Sequence, residues 1–227
     1  MLIGSGPGLP REGADVMRRP EFIARQARQP SGPFGYIVAW IMARETACDN
    51  AHTLDLLGIS EGDRILEVGC GHGATLGEVV ERASNTRVTG LDFSQVMVNV
   101  ARERNDRLIA EGRVKIELGD SASLRYGNES FEKVFSVHTL YFWSEPEQHL
   151  REICRVLVPG GRLVLGFRSG EDQGTVSQFP SSVYRFRTGD EVAGLAARCG
   201  FGGVRIVSEN VCDHTMTWLI AEKSGDV

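Results

Sequence analysis

Long apolar runs are missing from this chain of 227 residues. No stretch approaches the ~20 consecutive apolar residues that a membrane-spanning helix needs. The N-terminus carries glycines and prolines where a signal peptide needs its apolar segment, which points to a cytoplasmic chain. Lysine is scarce: Lys115, Lys133 and Lys223 are the only three, and arginine carries the rest of the positive charge. The formal net charge is -5, so there is no basic excess of the kind that a nucleic-acid or acidic-membrane partner favours. The five cysteines, Cys48, Cys70, Cys154, Cys199 and Cys212, include no pair at metal-ligand spacing, and five is odd. That excludes a disulfide framework and predicts reduced thiols. The histidines His52, His72, His138, His149 and His214 show no H-x3-H or HExxH pairing, so no metal site is expected. Internal repeats are also absent.

What is present is a core-forming composition, 41% hydrophobic, sufficient for one domain. Residues 1–20 mix Gly, Pro and Arg without periodicity and read as a loose arm. Residues 21–57 read as helical, broken at Pro30-Ser31-Gly32-Pro33, with Gly58 as the C-terminal cap. Residues 58–227 then alternate. Strand-length apolar runs are Arg64–Val68, Arg87–Leu91, Val114–Leu118, Lys133–Val137 and Arg162–Phe167, and helical stretches separate most of them. One helix is expected over Ser94–Glu111. A second starts near Glu145 with Ser144 and Glu147 as a capping box, and a third starts at Thr188 and Glu191 with the same device. Strand–helix alternation predicts a mostly parallel sheet with helices on both faces. The runs Val204–Ser208 and Thr215–Ala221 are too close for a parallel crossover, so they pair as an antiparallel hairpin.

The segment Ile65-Leu66-Glu67-Val68-Gly69-Cys70-Gly71-His72-Gly73-Ala74 takes a buried strand through three alternating glycines into a helix. Glycine there permits tight turning and close approach of the backbone to a ligand. The same residues also read as G-x-G-x-x-A, a dinucleotide fingerprint. The second strand ends in Gly90-Leu91-Asp92-Phe93, where a carboxylate can accept from ribose hydroxyls; Ser94 is available to cap the next helix, which favours that role over a helix-cap or dipole one. Gly119-Asp120-Ser121 follows the third strand, and Val158-Pro159-Gly160-Gly161 opens the fifth.

As an ordered set, ILEVGCGHG, GLDFS, GDS and VLVPGGRLVL resemble the motifs of class I S-adenosylmethionine (SAM)-dependent methyltransferases, over about Asp63 to Phe167. The resemblance is nearest to the small-molecule group that includes ubiquinone-type and natural-product enzymes. It implies a Rossmann-like seven-stranded α/β sheet whose C-terminal hairpin supplies a reversed strand. It also implies SAM as cofactor, with S-adenosylhomocysteine (SAH) as product. Glu67, Gly69 and Gly71 would line the methionine part, with Gly73 completing the cofactor loop. Asp92 would hold the ribose and Phe93 would lie against the adenine. Asp120 and Ser121 would flank the adenine edge, and Ser136 would sit near the methionine end through its backbone. His72 and Glu132 depart from the common pattern.

The acceptor side is less defined. His138, Thr139, Tyr141, Phe142 and Trp143 follow the fourth strand, and His138 is the candidate base. A loop hydrogen bond is its plainer role. Tyr141, Trp143 and Arg168 are candidate substrate contacts, Arg168 for an anionic group, and His214 stands before the last strand. In the N-terminal segment Phe34, Tyr36, Trp40 and Met42 form an aromatic and apolar face. It serves as a lid bearing Tyr36 and Trp40 on the substrate, or packs on the sheet edge. The expected protein is a methyltransferase acting on a small molecule, without a nucleic-acid partner or membrane span, as monomer or homodimer. The rivals are an NAD(P)-dependent oxidoreductase, a nucleic-acid methyltransferase and a SAM-binding protein without turnover. Against the first, Tyr-x-x-x-Lys is missing. Against the second, Ser136-Val137-His138-Thr139 stands where an Asn/Asp-Pro-Pro-aromatic motif would.

Overall fold

The computed structural model describes residues 19–28 and 46–225. Tyr36 and Trp40, with the rest of the proposed lid face, lie outside these residues. Elements run in the order α1 (Glu21–Arg28), α2 (Ala47–Leu57), β1 (Arg64–Val68), α3 (Ala74–Arg82), β2 (Arg87–Asp92), α4 (Gln95–Arg104), α5 (Asp106–Ala110) and β3 (Val114–Leu118). They continue with β4 (Phe131–Val137), a 3-10 turn (Leu140–Phe142), α6 (Pro146–Val156), β5 (Leu157–Phe167), α7 (Gln173–Gln178), α8 (Gly189–Arg198), β6 (Phe201–Val211) and β7 (His214–Lys223). The seven strands form one sheet in the order β3-β2-β1-β4-β5-β7-β6. All pairings are parallel except β5–β7 and β6–β7, so the expected reversed hairpin is present and β7 is the strand inserted beside β5.

Period-two alternation divides the core. Ile65, Val88, Phe135, Val164 and Trp218 face Leu54 and Leu57 of α2 and Leu76, Val79 and Val98 of α3 and α4. Leu66, Val134, Leu163, Leu165 and Leu219 face Leu150 and Ile153 of α6 and Val192 and Leu195 of α8. α2 is therefore a layer of the sheet core, tied in by the Trp218 indole donating to Thr53 Oγ1 at 2.8 Å. Gly58 caps it with a left-handed backbone, as its sequence position predicts.

Several local expectations change. The helix expected over Ser94–Glu111 divides at Asn105, whose buried amide donates to the carbonyls of Ala101 and Gly73 at 2.9 Å and so ends α4. The capping box at Ser144 and Glu147 does not form. Pro146 occupies the first helical position with Glu145 as cap, and Glu147 instead pairs with Arg151 and Arg198. The box at Thr188 and Glu191 is complete. β5 begins at Leu157, because Leu157 already pairs with Phe131 across an irregular register. Glu132 pairs with Arg64 across β1 and β4 at 2.6 Å.

The reduced-thiol expectation is corrected for one pair. Cys48 and Cys212 form a disulfide, with Cα atoms 6.5 Å apart and a sequence separation of 164. Folding of α2 onto β7 brings them together, which spacing along the chain cannot show. Cys70, Cys154 and Cys199 are free and buried. Among the described residues no helix is long and apolar enough to cross a membrane.

Candidate active site

Open α/β sheets bind ligands where the strand order reverses, beyond the carboxyl ends of the strands. Here that point lies between β1 and β4. A cleft opens there with two adjoining lobes that share Arg28, Gly69, Asp92, Phe93, Thr139 and Phe142.

The first lobe is built on the glycine loop. Gly69, Gly71 and Gly73 all have positive φ. At Gly69 a Cβ would meet Thr139 Cγ2 at 2.3 Å, so the loops after β1 and β4 touch. At Gly71 a Cβ would meet nothing within 4 Å, because that position faces the cleft. Gly73 belongs to packing: its Cβ would meet Ala101 and Asn105 at 2.8 Å, and it does not line the cleft. Asp92 closes the loop, its Oδ2 accepting from the Gly71 N–H and its Oδ1 from Ser94 N–H, both at 2.9 Å. Ser94 caps α4, which leaves the Asp92 carboxylate free of that task. Burial raises the Asp92 pKa, and the bonds from the Ser94 and Gly71 amides oppose the rise.

Glu67 is buried beneath this loop. Burial, and secondarily the Asp92 charge, push its carboxyl up to about 8. Its Oε2 has no hydrogen-bond partner among the described residues. His72 accepts from Ala74 N–H at Nδ1 (3.3 Å), and burial lowers its pKa to about 4. Neutral, it carries its proton on Nε2, which is also buried and unpartnered among the described residues. One vacant acceptor and one vacant donor flank the lobe where the resemblance puts the methionine of SAM. A zwitterionic amino-acid group fits that pair, with its ammonium toward Glu67 and its carboxylate toward His72.

The second lobe suits a flat heterocycle. Phe93 is 42% exposed and borders both lobes. Asp120 is exposed in the wall, holding the turn through Ala122 N–H at 2.9 Å. Ser121 is buried, and its Oγ lies 2.7 Å from Nδ1 of His149, whose ring stacks on Trp143 with centroids 4.6 Å apart. Trp143 thus lines the lobe assigned to adenine, away from the acceptor end where the sequence reading placed it. His149 lines the same lobe and was missed, because only its spatial neighbours distinguish it from a helix-surface histidine.

Other candidates are dispersed. Ser136 lies behind the cleft, its hydroxyl bonded to Val68 O at 2.7 Å and to Thr139. Tyr141 is buried in the aromatic cluster with Tyr184 and Phe186 and does not line either lobe. Its hydroxyl accepts from the Arg168 backbone N–H at 2.5 Å. The Arg168 side chain is not on the cleft wall. His138 does line the first lobe and has a positive φ of 59°, a rare conformation that fixes its ring at the end of β4. Its Nε2 lies 2.8 Å from Asp49 of α2, and His214 Nε2 lies 3.0 Å from the same carboxylate. Nothing in the sequence singles out Asp49. Among the described residues no group of three metal-ligating side chains is disposed to hold a metal ion.

A methyltransferase domain family matches residues 66–165. The uncharacterised methyltransferase YdaC of Bacillus subtilis is 30% identical over 135 residues, 60% of this chain and 72% of that protein. The 27-O-demethylrifamycin SV methyltransferase of Amycolatopsis mediterranei is 34% identical over 111 residues, 49% of this chain and 40% of the relative. Apart from the Bacillus protein, the match spans only 32% to 40% of the first relatives' own length. Among solved structures, a putative methyltransferase from Haloferax volcanii in complex with the Trm112 activator superposes with a TM-score of 0.70 at 21% identity. That likeness covers 91% of this chain and 99% of the other and concerns the fold. The dinucleotide reading of G-x-G-x-x-A finds no support in these matches. Family match, relatives, sheet order and glycine loop agree, and the chain belongs to the class I SAM-dependent methyltransferases.

Proposed function

We propose that this chain methylates a small-molecule acceptor bound at the open end of the first lobe, using SAM. The observation that carries this reading is the vacant buried carboxyl oxygen of Glu67 in the lobe that Gly71 also lines, a cavity wall that a cationic amino-acid group completes. SAM supplies a methyl group on a sulfonium sulfur, open to in-line displacement.

The chain's own residues bind, orient and exclude water. Glu67 and His72 would hold the methionine ends, and Gly69 and Gly71 let the backbone come close. Asp92 would accept from the ribose hydroxyls while fixing the Gly71 amide. Phe93, Asp120, Ser121 and His149 would enclose the adenine. Positioning of this kind can supply ~7–11 kcal/mol of the barrier. At the acceptor end His138 is the base for an acceptor that must lose a proton. The name of the rifamycin relative, which refers to an oxygen of a small molecule, supports that choice of acceptor class. The acidic net charge supports a substrate other than nucleic acid.

The reading is tested by SAH release from SAM over a panel of small phenols, alcohols, amines and thiols. Turnover of at least one small acceptor is expected. Methylation confined to RNA, DNA or protein would overturn the substrate class.

A further inference from the structure

Asp49 is fully buried on α2, a helix that the glycine-loop motifs do not include. A buried carboxylate is costly unless paired. Its partners come from two other parts of the fold: His138 after β4, with Nε2 at 2.8 Å from Oδ2, and His214 at the start of β7, with Nε2 at 3.0 and 3.2 Å from Oδ1 and Oδ2. The Cys48–Cys212 disulfide ties α2 to the β6–β7 turn one residue from Asp49 and two from His214.

Donor counting fixes the protons. A carboxylate only accepts, so His138 donates from Nε2. In a neutral ring with Nε2 protonated, Nδ1 carries the lone pair and accepts from the Tyr141 hydroxyl 3.1 Å away, while the Tyr141 oxygen accepts from Arg168 N–H at 2.5 Å. His138 therefore stands at the cleft wall with Nε2–H anchored on Asp49 and an Nδ1 lone pair that accepts from the Tyr141 hydroxyl. Among the described residues, further charged neighbours are Asp213, whose Oδ1 lies 3.1 Å from His214 Nδ1, Arg168 beyond Tyr141, and Arg28 and Glu67 on the wall of the same lobe as His138.

We propose that Asp49 and His214 are positioning residues that hold His138 in the Nδ1-lone-pair tautomer, making it the proton acceptor for a hydroxyl substrate. This rests on the reading of the cleft as a methyl-transfer site. In the step, the acceptor hydroxyl displaces the Tyr141 hydroxyl from Nδ1, which requires the Tyr141 side chain to move, since it is buried and lines neither lobe. Its oxygen forms a bond to the methyl carbon as the sulfur–carbon bond breaks, with the electron pair going to sulfur. The O–H proton goes to Nδ1, and the resulting imidazolium keeps its Nε2–H on Asp49. A thiolate acceptor has no proton to lose and makes no use of the unit.

The first test needs no acceptor. In protein saturated with SAH and labelled with 15N-histidine, long-range proton–nitrogen spectra report which ring nitrogen carries hydrogen. The wild type is expected to show His138 with Nε2 protonated and Nδ1 bare, and Asp49→Ala to lose that preference. Nδ1 protonated in the wild type, or a tautomer unchanged in Asp49→Ala, overturns the proposal. Should Asp49→Ala fail to fold, Asp49→Asn serves, since its carbonyl still accepts one Nε2–H but carries no charge. The second test compares matched phenol and thiophenol acceptors. Loss of a general base costs ~10²–10⁴-fold, so Asp49→Ala is expected to lower the phenol-to-thiophenol rate ratio by at least ~30-fold. An unchanged ratio assigns Asp49 to folding alone and contradicts the proposal. Calorimetry with SAH keeps the readings apart: a wild type that does not bind SAH removes the cofactor site, independently of the tautomer.

Discussion

Glu67 is the residue on which the cofactor site makes its sharpest demand. Burial raises its carboxyl to about 8 from an ordinary value of about 4.5. Between those values the folded chain keeps a proton that the unfolded chain has released, so this residue's contribution to stability falls as pH rises through that window. Glu67→Gln is therefore predicted to raise the stability of the ligand-free protein at pH 8 by roughly 2–4 kcal/mol and leave it unchanged near pH 4. The same variant should weaken SAH binding by roughly 1.5–3 kcal/mol, since a bond to a charged group is lost. Thermal melts and calorimetry at both pH values check the pair of effects. A variant destabilised at pH 8, or binding SAH as the wild type does, would contradict the role given to Glu67. His72 runs the other way. Burial lowers it to about 4 from 6.5, so the stability present with the ring neutral is lost as pH falls below 6.5. Asp92 is predicted to act twice, on ribose and on the Gly71 amide. Asp92→Ala should weaken SAH by roughly 1.5–3 kcal/mol and quicken hydrogen exchange at Gly71. Unchanged SAH affinity in a folded variant would take Asp92 out of the site.

At the scale of elements, the glycine loop and the disulfide separate binding from stability. Gly71 faces the cleft with no atom near its missing Cβ, so Gly71→Val should still fold, although its φ of 52° will strain it, and should lose SAH binding. Retention of affinity within a factor of two would show that the loop is not the cofactor's cradle. The disulfide closes a long stretch of chain between α2 and the β6–β7 turn, and loop-closure entropy assigns such a bond about 4–5 kcal/mol. Reduction by dithiothreitol, or the double change Cys48→Ser and Cys212→Ser, is predicted to lower Tm and to speed hydrogen exchange in α2 and the turn. A free-thiol count of five in the untreated native protein would refute the bond itself. Elements were legible in the sequence where one local signal governed them. Arg64–Val68 and Val114–Leu118 match their strands because buried apolar runs lie between turns. The break at Asn105 was not, because a distant carbonyl, that of Gly73, helps to hold it.

For the whole molecule, the half of the cleft proposed for the cofactor was legible because its candidate ligands sit at successive strand ends: Glu67 in β1 and Gly71 after it, Asp92 at the end of β2, Asp120 after β3. Each lies within a few residues of its motif, and the parallel order of the sheet brings the tips together. The acceptor half was not legible in this way. Asp49, His138 and His214 meet only because α2 packs across the sheet and β7 inserts beside β5, over separations of 89 and 165 residues. Cys48 and Cys212 escaped notice for the same reason. The lobe that Trp143 lines was not legible, because its stacking on His149 is invisible along the chain. The central claim is that this cleft is made for SAM, and calorimetric titration of the purified chain with SAH, beside NADH as control, tests it most directly. One SAH per chain is predicted, with affinity rising from pH 6 to pH 8 and protons released on binding as Glu67 meets the ammonium group. No heat with SAH, or binding of NADH in its place, would contradict it.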